Sequence, residues 1–478
     1  MATTSIRFGT DGWRAGIGDD YTFENVRYCA QGTADELKAD GSAAKGMVVG
    51  YDTRFRSEDF ARAVAEVLAG NGITTYLANR FMPTPVLSYA ILPYATAGGI
   101  WITASHNPPT DNGFKLRSSY AGAAAPETLV AVEERIRATQ AQQRIERMDY
   151  DEALKKGLIQ IIDPSEPYLE QINKLVDMDV LRDAGLKIVA DPMWGVGQGW
   201  LPSLFASAST TIHEIHNGRN PLFPEMARPE PIADNLRVLL RTIPEVGAAA
   251  GIAFDGDADR VGFASEKGDF VNQLQVYALL ALYLLECRGQ RGPLVRTIST
   301  TAMANKLAAR YGVDVYETGV GFKYVAPKML EVNALLGGEE SGGFAFANHI
   351  PERDGILAGL YLLDLMVRMG KSPSELIDHL FALVGPHYYD RVDGQMRAQD
   401  RPAVIERVRS ARPEAIAGLR VEEIDTRDGF RYVLEGGDWL LIRFSGTEAV
   451  IRVYCETTRE ALVPAILEAG LKIAGISA

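Results

Sequence analysis

The chain has 478 residues, enough for about three domains at roughly 150 residues each and for several cores without staples. Apolar residues make up 47% and charged residues 23%, a balance that argues against a disordered or fibrous chain. With 49 Lys and Arg against 62 Asp and Glu, the net charge of −13 argues against nucleic acid as a partner; the same logic would disfavour anionic ligands, but a sum over the chain hides local clusters of Arg and Lys.

Residues 1–18 carry no apolar stretch of the signal-peptide kind, and a cytoplasmic location is expected. Residues 46–52 predict a strand, 57–70 a helix and 74–78 a second strand. The same succession returns at 186–191, 200–208 and 211–216, and again at 293–295, 302–311 and 313–317. Strand, crossover helix, strand is the parallel βαβ unit, with a right-handed connection. After each copy another apolar segment runs into a polar loop, at 98–108, 250–260 and 335–343. Open α/β sheets bind ligands at such carboxyl ends of strands. Residues 137–156 are charged and helix-prone and read as a link between the first two units. The apolar runs at 274–287 and 356–369 are short for a membrane span, and the second contains Asp364; both predict buried helices and no membrane association. Near the C-terminus, 438–444 and 450–454 predict two strands around a short loop, followed by a helix at 459–474, a smaller α+β arrangement. Cys29, Cys287 and Cys455 are far apart with no CxxC pair, which predicts free thiols and no structural zinc.

The loops carry the chemistry. Asp255, Asp257 and Asp259 alternate, and like charges that close together call for a hard divalent cation with oxygen ligands. An EF-hand is excluded, because Arg260 stands at the sixth position, where glycine makes the turn, and a strand leads in rather than a helix. In 103–109, Ser105 is a candidate nucleophile, with His106 and, a little further on, Lys115 as candidate activators. Loop 337–343 pairs the acceptors Glu339 and Glu340 and the hydroxyl of Ser341 with flexible glycines, a set suited to sugar hydroxyls. Arg443, Ser445, Gly446 and Thr447, with Arg452 beyond, make a candidate phosphate cradle, since arginine forks match phosphate and loop hydroxyls complete it. Gly195, Gly197 and Gly199 imitate a dinucleotide fingerprint, but Trp200 occupies the place of its third glycine. No GxxxxGK[ST] loop is present, so ATP binding has little support.

Together, these four loops and the segment 8–14 with Arg14 resemble the α-D-phosphohexomutases, the group of phosphoglucomutases and phosphomannomutases. The resemblance covers nearly the whole chain. It implies an α/β fold of four domains around a central cleft: three related α/β domains with mixed sheets and a smaller C-terminal α+β domain. The expected divisions are 1–150, 151–266, 267–375 and 376–478. It implies Ser105 as a phosphoserine, with Asp255, Asp257, Asp259 and the serine phosphate holding Mg²⁺. Glu339 and Ser341 would contact the sugar, with Lys323 as a further substrate-binding residue. Arg443, Ser445, Gly446, Thr447 and Arg452 would hold the phosphate that does not react. Arg14, His106, Lys115 and Arg260 would surround the one that does. The implied reaction passes a phosphoryl group through a hexose 1,6-bisphosphate that turns over in the cleft.

Glu340 resembles glucose-preferring members, which points to glucose 1-phosphate and glucose 6-phosphate. Phosphomannomutase, dual-specificity, phosphoglucosamine and phosphopentose activities are the alternatives within the family. A metal-dependent phosphatase and a non-catalytic sugar-phosphate binder are the alternatives outside it. The phosphosugar is the expected partner of a monomer or dimer.

Overall fold

A computed structural model describes residues 6–9, 12–444 and 450–476. The first sheet comprises β1 (Trp13–Gly16), β2 (Met47–Tyr51), β3 (Thr75–Ala78), β4 (Gly98–Ile102), β5 (Asp111–Ser118) and β6 (Ile159–Ile162), in the order β1-β5-β4-β2-β3-β6. The second comprises β7 (Lys187–Asp191), β8 (Thr211–Glu214), β9 (Ala250–Phe254), β10 (Val261–Ala264) and β11 (Phe270–Val271), ordered β11-β10-β9-β7-β8. The third comprises β12 (Leu294–Thr297), β13 (Val315–Thr318), β14 (Leu336–Gly338) and β15 (Phe344–Phe346), ordered β13-β12-β14-β15.

All three share one four-strand motif: a parallel trio with one antiparallel strand beside it. In the first sheet β2 pairs in parallel with β3 and β4, and β5 runs antiparallel to β4. The same pairings join β7, β8, β9 and β10, and then β12, β13, β14 and β15. The repeat expected from sequence is therefore present in the topology. Each chemical loop falls at the same place in it, between the third parallel strand and its antiparallel neighbour. The central strands are apolar along their whole length because helices cover both faces; β2, β4 and β9 are buried at every residue.

The expected boundaries fall short of the sheets. β6 pairs with β3, so the first sheet reaches residue 162 rather than 150. β11 pairs with β10, which carries the second past 266 to 271. Helix Pro373–Val384 buries Leu376, Leu380 and Val384 in the large core shared by the α/β units, so it belongs with the third unit despite the expected break at 375.

That shared core draws on all three units. The two apolar runs lie within it. One is the helix Gln273–Leu282, continued by a π-turn Tyr283–Cys287; the other is the helix Gly355–Met369. Being apolar all round suits helices buried on every side. Among the described residues no helix is long and apolar enough to cross a membrane, and Cys29, Cys287 and Cys455 are free thiols.

The C-terminal sheet has its own core. Its strands are β16 (Tyr388–Gln395), β17 (Ala415–Ile416), β18 (Leu419–Asp425), β19 (Phe430–Leu434), β20 (Trp439–Phe444) and β21 (Val450–Thr457), in the order β16-β21-β20-β19-β18-β17. Helix Val463–Ala474 covers one face. The sheet docks on the third unit through Trp439, Leu441 and Tyr454 against Leu274 and Ile298. Glu317 of β13 adds a polar seam, paired with Arg296 at 2.8 Å and with Arg431 at 2.6 and 2.8 Å.

Candidate active site

Ser105 is buried and holds a left-handed backbone conformation, φ 53°, that non-glycine residues rarely adopt. Arg54, wholly buried, holds the loop in this shape. Its Nη2 donates to the carbonyls of Ser105 and Asn107, both at 2.6 Å, and its Nη1 to those of Pro108 at 2.7 Å and Asp111 at 3.1 Å. Asp52 lies 3.2 Å from its Nε and balances the buried charge. The Ser105 hydroxyl is thereby fixed 3.0 Å from Asp255 Oδ2 and 3.2 Å from His106 Nδ1. Burial, then Arg260 and Arg14, hold the His106 imidazole well below its ordinary pKa, so it stands neutral.

The carboxylates of Asp255, Asp257 and Asp259 are buried, with one oxygen of each within 4.8 Å of the others. Burial first, then Asp259 and Asp257, push Asp255 well above the usual carboxylate range; Asp259 is raised as well, chiefly by burial. Protein cations offset part of this charge. Lys115 Nζ is 2.9 Å from Asp257 Oδ2, Arg353 Nη2 is 2.7 Å from Asp259 Oδ2, and Arg260 Nε is 4.0 Å from both Asp255 and Asp259. Asp259 Oδ1 nevertheless accepts no hydrogen bond among the described residues. Three buried hard-oxygen donors, Asp259 Oδ1 among them without a hydrogen bond from the described residues, fit a divalent cation of the Mg²⁺ type.

The glycine run at 195–199 has a packing reason. A Cβ on Gly195 would lie 2.7 Å from the Gly256 carbonyl oxygen, and one on Gly197 2.7 Å from the Phe254 ring. These glycines let a neighbouring loop press against the acidic one, with no nucleotide required.

In the third loop Glu339 is buried and Ser341 Oγ makes no hydrogen bond among the described residues. Arg353 bridges this loop to the acidic one, with Nη1 3.6 Å from Glu339 Oε2. Its neighbours extend the junction. Glu352 pairs with Arg117 of β5 at 2.5 Å, and Asp354 accepts from Tyr168 at 2.9 Å. Three consecutive charged residues thus tie the third unit to the other two, and sequence pattern alone passed over all three. Glu340 turns to the C-terminal sheet, where Tyr389 donates to it at 2.5 Å and Arg391 at 3.4 Å.

Family models for phosphoglucomutase/phosphomannomutase match four successive stretches. The α/β/α domains I, II and III match residues 5–143, 166–268 and 272–384, and the C-terminal domain matches 396–470. The chain belongs to this family of phosphohexomutases. It is 32% identical to a phosphoglucomutase/phosphomannomutase of Thermococcus kodakarensis, over 98% of both chains. It is 31% identical to a probable phosphoglucosamine mutase of Methanothermobacter thermautotrophicus, over 95% of this chain and 94% of the relative. Among solved structures, a putative phosphomannomutase from Thermus thermophilus superposes with a TM-score of 0.85 at 33% identity, covering 99% of this chain and 100% of the other.

Within this phosphohexomutase fold, Ser105, His106, Lys115, Asp255, Asp257, Asp259 and Arg260 converge directly. Arg14 reaches the serine loop through Asn107, 2.6 Å from its Nη1. Glu339 joins through Arg353. Lys323 stands apart: among the described residues it makes no ion pair, and its Nζ lies over the Tyr324 ring at 5.0 Å. Arg443 and Arg452 are direct cross-strand partners on β20 and β21. Ser445, Gly446 and Thr447 lie outside the described residues.

Proposed function

We propose that the chain interconverts glucose 1-phosphate and glucose 6-phosphate by way of a phosphorylated Ser105 and glucose 1,6-bisphosphate. The observation that carries this reading is the Ser105 hydroxyl, buried and 3.0 Å from Asp255 at the edge of the acidic cluster. A buried hydroxyl facing three carboxylates and ringed by arginine and lysine suits phosphoryl transfer, where positioning and charge neutralisation supply most of the catalysis.

In the proposed cycle the bond between phosphorus and Ser105 Oγ breaks as a new one forms to a free sugar hydroxyl. The hydroxyl gives up its proton and Oγ gains one. His106 Nδ1, 3.2 Å from Oγ, is placed to exchange a proton with that oxygen. Lys115, Arg260 and Arg14 draw the transferring phosphoryl oxygens inward. Asp255, Asp257 and Asp259 would hold Mg²⁺, which when bound supplies charge neutralisation at that group. Glu339 and Ser341 orient the sugar hydroxyls, and the buried Arg353 keeps Glu339 in register with the acidic loop. The cradle for the other phosphate is the C-terminal arginine pair. The two guanidinium groups stand directly opposite on neighbouring strands, with Asp428 beside Arg443 and Asp393 beside Arg452, and arginine forks match a phosphate bidentately.

The glucose reading rests on the residue type at Glu340 and not on a sugar contact, since Tyr389 and Arg391 hold its carboxylate. The phosphoglucosamine mutase names of several relatives favour an amino sugar as the second reading. Rates on the 1-phosphates of glucose, mannose, glucosamine and ribose decide between them. Glucose 1-phosphate is expected to give the highest kcat/KM. A higher value for any of the others contradicts the glucose assignment, and phosphate release without isomerisation contradicts the mutase.

A further inference from the structure

The turn between β18 and β19 carries Asp428, whose carboxylate faces two ways. Oδ2 accepts the Val320 N–H of the third unit at 2.6 Å. The same carboxylate grips Arg443, with Nη2 3.2 Å from Oδ1 and 3.1 Å from Oδ2, and Nε 3.4 Å from Oδ1. These contacts occupy the Nε/Nη2 edge of the guanidinium. Nη1, on the other edge, has no partner among the described residues.

The local backbone is shaped for this contact. Gly429 follows Asp428 with φ +93°, and a Cβ there would lie 2.6 Å from the Ile442 carbonyl oxygen and 2.7 Å from Arg443 Cγ. Only glycine lets the turn run this close to Arg443. The adjacent Arg427 anchors the turn from the other side, pairing with Glu317 of β13 and, at 2.6 Å, with Asp425.

We propose that Asp428 is the positioning residue for Arg443: it holds the side-on edge of the guanidinium and ties it to the third unit through Val320, leaving the end-on edge aimed at the substrate's non-reacting phosphate. An arginine near a strand end, even half-buried as Arg443 is, has several rotamers, and affinity for a phosphate rises when one is selected in advance. The proposal rests on the functional reading above, in which Arg443 belongs to the phosphate cradle. It adds that the cradle is oriented from a separate turn and a separate domain.

The test is a double-mutant cycle on the full chain, with glucose 6-phosphate titrated calorimetrically into wild type, Asp428→Asn, Arg443→Ala and the double variant. Asparagine keeps an acceptor for the Val320 N–H and removes the charge that grips the arginine. Asp428→Asn is expected to weaken binding about tenfold and to change it no further in the Arg443→Ala background. In turnover its KM rises by a similar factor while kcat stays within about twofold, the signature of lost uniform binding. Unchanged or tighter binding, or the same tenfold loss without Arg443, overturns the proposal. Should the asparagine variant unfold, Asp428→Glu, which keeps the charge but displaces it by one methylene, enters the same cycle with the same criteria. A wild-type protein that binds no hexose phosphate at all contradicts the functional reading itself and removes the basis of the proposal with it.

Discussion

Ser105 Oγ donates a 3.0 Å hydrogen bond to Asp255 Oδ2, joining residues 150 apart in sequence and loops of two different α/β units. Gly256 makes the approach possible: a Cβ there would lie 2.5 Å from the Ser105 carbonyl oxygen. The candidate nucleophile and the acidic cluster are thus built against each other, and a change on either side is felt on both.

Arg54 has the first consequence. Four backbone carbonyls converge on its buried guanidinium, and lysine, a single point of charge, cannot serve them all. Arg54→Lys is expected to lower activity at least about a hundredfold, because Ser105 moves relative to Asp255. Arg54→Ala, which strands the buried Asp52 carboxylate, is expected to cost about 3–5 kcal/mol. Steady-state rates and thermal unfolding check the pair.

Cation binding should be visible without turnover. The buried carboxylates repel one another, so an added divalent ion stabilises the folded chain by about 2.7 kcal/mol at a hundredfold excess over its Kd. The melting temperature is expected to rise with Mg²⁺ and fall back with chelator. In Asp257→Asn the rise should be largely lost. A wild-type melting temperature indifferent to Mg²⁺ would remove the metal from the account.

Much of this arrangement was legible in the sequence. The three-fold repeat showed because β-rich apolar runs and crossover helices leave periodic traces, and the three loops showed because acids, hydroxyls and glycines cluster at strand ends. Arg54 did not show: a lone arginine after a strand has no pattern, and its role exists only where carbonyls from another loop converge on it. Glu352, Arg353 and Asp354 look like an ordinary polar turn until their partners in the other two units are seen. Beside Ser341 in a glycine-rich loop, Glu340 looks like a residue facing sugar, whereas Tyr389 and Arg391 hold it toward the C-terminal sheet. β6 and β11 are short edge strands, known only by what they pair with, so sequence pattern alone places the domain limits before them.

His216 gives the fold a pH dependence away from the candidate site. Its Nδ1 is 2.9 Å from Asp191 and its Nε2 3.2 Å from Glu225. Burial alone would lower its pKa, but the hydrogen bond and charge of Asp191, followed by those of Glu225, raise it on balance. A group with a raised folded pKa contributes its stability below the unfolded value, about 6.5, and loses it as pH rises through the folded one. His216→Gln should therefore lower the melting temperature near pH 6, and the gap to wild type should shrink by pH 8.5. A gap that stays constant or widens with pH contradicts the assignment.

The central claim is a covalent one, and intact-mass spectrometry addresses it most directly. After incubation with glucose 1,6-bisphosphate and Mg²⁺, wild type is expected to carry the mass of one phosphoryl group, mapped by peptide fragmentation to Ser105. Ser105→Ala should stay folded, carry none, and retain less than roughly a thousandth of the mutase activity. A phosphoryl group on another residue, or near-normal turnover in Ser105→Ala, would contradict the account.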